Sequence, residues 1–271
     1  SILSPLCPLT ETISAIIPSY AIVLSSLGIE ALVFVIYEFR LSRDEGKPRL
    51  IDVRPERWSL DEKTIGIYDT GAAGFAAEWE DKQDPPDDLW AAVDAYFHPG
   101  ATIDIGCGSG RDAAWLKAEG FDVVGIDASR GLIEEASRRH PDVKFECDTL
   151  PGLESLDIGA YANVLCETVI MHMREVEALA SVRRLAALLA PGGALYLSWR
   201  ITEGIDRRDD QGRLYASFET DAVKTALAGH AIELDERIVS ASSRKTVHRL
   251  VVRREDLEFR EPRQDLFTEQ C

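Results

Sequence analysis

The chain has 271 residues, enough for one generous domain or a domain of about 200 residues with an appendage. Its formal net charge of −17 repels phosphate backbones and acidic lipids, and its arginine pairs are scattered rather than gathered into a basic patch, so no nucleic-acid partner is expected. Five cysteines (Cys7, Cys107, Cys147, Cys166 and Cys271) form no CxxC pair and no metal-ligand spacing with histidine, so they read as reduced thiols of a cytoplasmic protein without a bound metal.

From Ile16 to Phe39 the chain is nearly all apolar and approaches the roughly 20 residues a membrane helix needs. Pro18 near the start and Glu30 in the middle spoil a clean spanning helix, and no secretory leader with its cleavage site is present. The expectation is therefore no membrane anchor. Instead a helix runs to about Leu27, followed by a strand over Ala31–Phe39, a turn around Asp44-Glu45-Gly46 and a strand over Arg49–Val53. The apolar run must still be covered, by the rest of the chain or by a second copy, which leaves a homo-oligomer open. Because the chain opens on Ser1, residues before about Ile65 also admit reading as a fragment of something else or an incidental extension. Residues 1–60 are set apart as an extension, 61–255 as the functional domain and 256–271 as a tail.

Asp61 to Trp79 carries apolar residues at helical spacing and predicts one or two short helices. The break DKQDPPDD follows, with Asp87 or Asp88 poised to cap a helix over Leu89–Phe97. Strands and helices then alternate. Strands are expected at Ala101–Ile105, Val123–Ile126, Val143–Cys147, Tyr161–Cys166 and Ala194–Trp199. Helices are expected at Arg111–Glu119, Gly131–Arg139 and about Glu175–Leu189. Such alternation implies right-handed crossovers and a mostly parallel sheet covered on both faces, an α/β fold. A helix over Thr220–Leu227 precedes β-rich stretches at Ile232–Ser240 and Thr246–Arg253, a pair suited to closing the sheet edge with an antiparallel strand.

The strongest chemical signal is the run from Thr102 to Arg111, TIDIGCGSGR. A buried strand enters a loop with glycines at 106, 108 and 110, and a helix starts at once. Glycines there permit close backbone approach and positive φ. The dinucleotide fingerprint is GxGxxG with a pyrophosphate over the helix. Here the loop is GxGxG, and Asp104 stands two residues before it, where a carboxylate repels pyrophosphate and attracts a cationic amino group. Asp127 closes the second strand, placed to bind both ribose hydroxyls or to cap the next helix.

These residues resemble class I S-adenosylmethionine-dependent methyltransferases, over roughly Gly66 to Arg253. IDIGCGSGRD matches the first motif, VVGIDAS the second, FECDTLP the loop after the third strand, NVLCETVIMHM the fourth-strand motif and LLAPGGALYLSW the fifth. IYDTGAAGFAAEWE is similar to the helical segment that lids the cofactor in many small-molecule members. The resemblance implies a Rossmann-like, mostly parallel seven-stranded sheet with an antiparallel edge strand, S-adenosylmethionine as cofactor, and methyl transfer to a small molecule. It further implies that Asp104, Gly106, Cys107, Gly108 and Gly110 hold the methionine portion and Asp127 the ribose. Ala128 would pack on the adenine, with Asp148 and Thr149 at its amino group. Cys166 and Glu167 would face the sulfonium, and Tyr68 would close over the methionine end. Asn163 stands where many members carry Asp, and the gap between Asp148 and Leu150-Pro151 is short.

Methyl transfer is an in-line displacement on an activated sulfonium, so alignment and water exclusion supply most of the acceleration. A base is needed only where the nucleophile must lose a proton. His172 and Glu167 are the catalytic candidates: His172 either takes a proton or serves structure, and Glu167 either binds a substrate amine or caps a turn. His248 reads as a satisfied sheet histidine. Trp199, Arg200, Glu203, Arg207 and Tyr215, in the stretch after the fifth strand, are candidates for the acceptor pocket or for a solvated loop. Two other readings are a methyltransferase acting on a macromolecule and a non-catalytic cofactor-binding protein; a nicotinamide enzyme is disfavoured by the GxGxG spacing. No NPPY-like or DPPY-like tetrapeptide follows the fourth strand, against the usual amino-methylating DNA enzymes.

Overall fold

The computed structural model describes residues 41–44, 47–50 and 60–255, and the chain divides into two units between Ser59 and Leu60. In the first, strands β1 (Leu41–Asp44) and β2 (Lys47–Leu50) pair antiparallel, with Asp44 opposite Lys47. The expected turn around Asp44-Glu45-Gly46 lies partly outside the described residues, and the second strand starts two residues before its expected position. The expected helix and the strand over Ala31–Phe39 lie outside the described residues. Among the described residues, no helix is long and apolar enough to cross a membrane.

The second unit opens with α1 (Glu62–Thr70) and α2 (Ala72–Ala77), continued by a wide π-helical turn over Glu78–Lys82. Asp61 caps α1 by accepting the Thr64 N–H at 3.2 Å. Helix α3 (Asp87–Tyr96) follows the two prolines, but neither Asp87 nor Asp88 caps it. Both lie in its first turn, where acids complement the helix dipole, and Asp88 instead accepts the Ala241 N–H at 3.0 Å.

The alternation then runs β3 (Ala101–Ile105), α4 (Arg111–Ala118), β4 (Asp122–Asp127), α5 (Arg130–Arg139), β5 (Lys144–Cys147), β6 (Tyr161–Cys166), α6 (Glu175–Leu188) and β7 (Leu189–Arg200). A 3-10 turn over Ile170–His172 precedes α6. After β7, a small hairpin of β8 (Arg207–Arg208) and β9 (Leu214–Tyr215) interrupts the stretch read as a loop, before α7 (Thr220–Ala226), β10 (His230–Val239) and β11 (Thr246–Arg254).

Seven strands form one sheet in the order β10-β11-β7-β6-β3-β4-β5. The five from β7 to β5 are mutually parallel, and β11 runs antiparallel to both neighbours. The antiparallel strand therefore sits one place in from the edge, with β10 outermost. Alternate side chains of the central strands feed two cores. Val164, Cys166, Leu195 and Leu197 pack with α6 residues such as Val182 and Leu185. Leu165 and Tyr196 pack on the other face with α3 and α4 through Val93 and Leu116. The chain enters the sheet at β3, winds outward through β4 and β5, then returns to β6 on β3's other side. That reversal opens a crevice at the strand ends, the usual ligand position in open α/β sheets.

Candidate functional site

A cavity of about 1150 Å³ opens at this crevice, lined by the β3–α4 loop, the ends of β4, β6 and β7, the two leading helices and Tyr215. It exceeds the roughly 300–1000 Å³ typical of one small-ligand pocket, so it has room for two molecules side by side.

Asp104, on buried β3, reaches the cavity with only 3% of its surface exposed. Its Oδ2 has no hydrogen-bond partner. Burial, and then the charges of Asp112, Asp127 and Glu167, push its carboxyl well above the usual range. A buried carboxylate left in this state calls for a cation.

Asp127, at the end of β4, is held by both oxygens. Oδ1 accepts the Ser129 N–H at 2.8 Å and Oδ2 accepts the Gly108 N–H at 3.0 Å. Burial raises its pKa while these backbone donors oppose the rise. The capping alternative goes instead to Ser129, whose Oγ accepts the Leu132 N–H. Asp127 is thus fixed by the glycine loop with remaining lone pairs free for a diol.

Gly106, Gly108 and Gly110 all take positive φ, +75°, +57° and +86°. A Cβ at Gly106 would lie 2.2 Å from Val169 Cγ2, so the neighbour it meets is a cavity wall rather than open ligand space. Gly106→Val is therefore expected to cost about 1–3 kcal/mol of stability in backbone strain alone, besides any loss of binding. The smaller Gly106→Ala should be partly relieved by Val169→Ala. An unchanged melting temperature in Gly106→Val, or no relief in the double variant, would contradict this account.

Cys107, Gly106, Gly108, Ala128, Asp148, Thr149 and Tyr68 line the cavity. Asp148 is already engaged, accepting from Thr149 N at 2.7 Å and Ser155 Oγ at 2.6 Å. Two expected positions do not line it. Gly110 begins α4, and a Cβ there would strike Phe145 at 2.6 Å, so its smallness serves packing of the loop on the sheet. Cys166 is fully buried in the core with Val164, because strand alternation turns it away from the crevice. The next residue, Glu167, reaches the cavity instead. Burial pushes its carboxyl up to about 7, although Ser198 Oγ donates to its Oε2.

His172 Nδ1 lies 2.6 Å from the Leu214 carbonyl, which only accepts, so Nδ1 carries the proton and Nε2 the lone pair. Tyr68 Oη donates to that Nε2 at 2.9 Å and accepts from Arg213 Nη1 at 3.1 Å. Burial lowers the His172 pKa to about 4 and raises that of Tyr68 to about 12. Sequence reasoning missed Arg213, whose guanidinium lies 5.2 Å from the ring centres of both Tyr68 and Phe75. It also missed Phe75 and Trp79, although their spacing of four, seven from Tyr68, was a readable helical stripe. Of the acceptor-pocket candidates at and beyond the end of β7, Arg200 and Tyr215 line the cavity, whereas Trp199 stacks on His248 in the interior, and Glu203 and Arg207 lie elsewhere. His248 Nε2 pairs with Asp235 at 2.8 Å while its Nδ1 is buried without a partner, so this sheet histidine is satisfied on one side only.

The fold and loop define an open α/β domain with a glycine-rich loop at the point where the strand order reverses. Residues 103–193 match the family model described as a methyltransferase domain. A demethylmenaquinone methyltransferase from Beutenbergia cavernae is 33% identical over 117 residues, 41% of this chain and 47% of that protein. A trans-aconitate 2-methyltransferase from Methylobacterium nodulans is 32% identical over 133 residues, 48% of this chain and 49% of that protein. The chain thus spans about half the length of these relatives. In fold, it is similar to the magnesium protoporphyrin IX methyltransferase of Synechocystis PCC 6803, solved with bound SAH. The TM-score is 0.56 at 21% identity, covering 72% of this chain and 100% of that one. The matched segment is thus similar to a methyltransferase domain, and the fold is shared with solved S-adenosylmethionine-dependent methyltransferases such as one from Methanosarcina mazei, at a TM-score of 0.52 and 15% identity.

Proposed function

We propose that this chain transfers a methyl group from S-adenosylmethionine to a small molecule. The observation that carries the reading is the buried, unpartnered Asp104 carboxylate facing the same cavity as Asp127, which the glycine loop anchors. S-adenosylmethionine supplies a methyl group on a cationic sulfur; an acceptor lone pair forms the new bond to carbon while the C–S electron pair returns to sulfur. The residues present fit that molecule. Asp104 would take its ammonium, Asp127 its ribose hydroxyls and Ala128 its adenine face, with Asp148 and Thr149 at the adenine edge. The clustered carboxylates of Asp104, Asp127 and Glu167 together favour a cation.

Glu167 is the group suited to receive an acceptor's proton, since a base titrating near neutrality works best at working pH. His172, with its lone pair engaged, acts as a positioning residue that holds Tyr68 over the cavity. Leu214 N–H donates to Thr64 Oγ, and Arg208 forks onto Asp61, tying α1 to the β8–β9 hairpin. The leading helices thereby form a lid that excludes water from the reaction.

The strongly acidic chain favours a small acceptor over nucleic acid. The unpaired Cys107, Cys147 and Cys166 suit a cytoplasmic location, and residues 1–60 are assigned as an accessory element. S-adenosylhomocysteine is expected to bind with a stoichiometry near one, and Asp127→Ala to weaken it by about 1–3 kcal/mol. Calorimetry on both proteins tests this. Undetectable binding to the native chain would remove the cofactor reading, and unchanged affinity in the variant the ribose assignment.

A further inference from the structure

Three guanidinium groups line the cavity, and two have carboxylates. Arg111 binds Asp112 through Nε at 3.1 Å and Nη2 at 3.0 Å, and Arg213 binds Asp209 through Nε at 2.8 Å and Nη2 at 2.7 Å. Arg200, at the end of β7, differs. Its guanidinium makes no hydrogen bond or ion pair among the described residues, and its Nε is buried without a partner. The guanidinium carbon lies over the Tyr215 ring, 5.0 Å from its centre, a cation–π contact. His172 feels its positive charge, which helps keep that imidazole neutral.

We propose that Arg200 is the acceptor-recognition residue of this site, and that the acceptor it selects carries a carboxylate. This rests on the methyltransferase reading above. An arginine is permanently charged, and its planar fork matches a carboxylate in two parallel bonds. A buried donor without a partner is costly, so a ligand that supplies the partner gains more than the same contact made in water. The neighbouring groups do not compete for this role: Arg213 is neutralised by Asp209, and Tyr68 and His172 are bonded to each other. The cavity is thus divided in charge, with buried acids by the glycine loop suiting a cationic methyl donor and a free cation at the β7 end suiting an anionic acceptor. Such a division also opposes entry of a cationic acceptor from the wrong side.

The test uses the full chain saturated with S-adenosylhomocysteine and matched acid and amide pairs, benzoate with benzamide, cinnamate with cinnamamide, and succinate with succinamide. Binding is read by ligand-observed NMR and calorimetry. At least one acid should bind about tenfold or more tightly than its amide. Arg200→Gln should erase that preference, and Arg200→Lys should retain part of it through charge alone. Arg200→Gln loses only the Tyr215 contact and a buried, unpartnered Nε, so it should still melt cooperatively and bind S-adenosylhomocysteine with native affinity, and a failed fold is recognised. Absence of any acid preference across the set, or its persistence in Arg200→Gln, overturns the proposal while S-adenosylhomocysteine still binds. Failure of S-adenosylhomocysteine to bind the native chain would instead strike the underlying methyltransferase reading.

Discussion

Replacing Asp104 by asparagine is expected to stabilise the ligand-free protein while weakening S-adenosylhomocysteine by about 2–4 kcal/mol, roughly thirtyfold to a thousandfold. The two effects share a cause. Asp104 is buried with Oδ2 unpartnered, and Asp112, Asp127 and Glu167 add like charge around it. Its folded-state pKa therefore lies above the unfolded value near 3.8. With the folded form binding the proton more tightly, stability falls as pH rises above the unfolded value. Asparagine keeps the shape, removes the charge and so removes that loss. The same charge is what an ammonium group would pair with, and an amide replaces that ion pair with an ordinary hydrogen bond. Thermal melts with and without S-adenosylhomocysteine measure both parts on one sample. A variant that melts higher alone yet gains little from the ligand is the expected outcome. Native-like affinity in Asp104→Asn would move the ammonium site elsewhere.

Most of the glycine-loop end of the cavity was readable because its residues lie close together in sequence and their geometry is dictated by backbone. A strand, a glycine loop and a helix start leave little freedom, so Asp104, Gly106 and Gly108 were placed by local chemistry. Asp127 followed from the length of one helix and one strand. Cys166 went astray because the periodicity of a buried strand gives two faces without saying which residue at its end turns into the crevice; the structure turns Glu167 there. Gly110 shows a similar limit, since a glycine needed against Phe145 looks the same in sequence as one needed against a ligand. The acceptor end was far less readable. Its contacts join distant segments, Asp61 with Arg208, Thr64 with Leu214 and Tyr68 with Arg213, and no local pattern announces such pairs. Nor does sequence reveal which arginine already has a carboxylate. Arg207 and Arg200 looked alike until packing put one on the surface and the other at the cavity wall.

Glu167→Gln is expected to change the pH dependence of the protein in two separable ways. The carboxyl is buried, bonded to the Ser198 hydroxyl, and titrates near 7 rather than 4.5. Below about 4.5 both folded and unfolded states carry the proton, and Glu167 has no effect on the pH dependence. Between about 4.5 and about 7 the unfolded state has released its proton and the folded state retains it, so stability falls with rising pH; above about 7 the loss is complete. Glutamine cannot titrate. At pH 8 the ligand-free variant should therefore exceed the native chain in stability by up to about 3 kcal/mol, with the gap closing toward pH 4.5. A constant gap across that range would mean that Glu167 does not titrate as its surroundings require. The second effect concerns turnover, once an acceptor that must lose a proton is in hand. The native rate should rise through an inflection near 7, and the variant should fall by about a hundredfold or more with a flat profile. S-adenosylhomocysteine affinity should survive in the variant, because the proposed ammonium and ribose partners are Asp104 and Asp127. A rate that drops while keeping the native inflection would make Glu167 a structural carboxyl and move the titrating base elsewhere on the cavity wall.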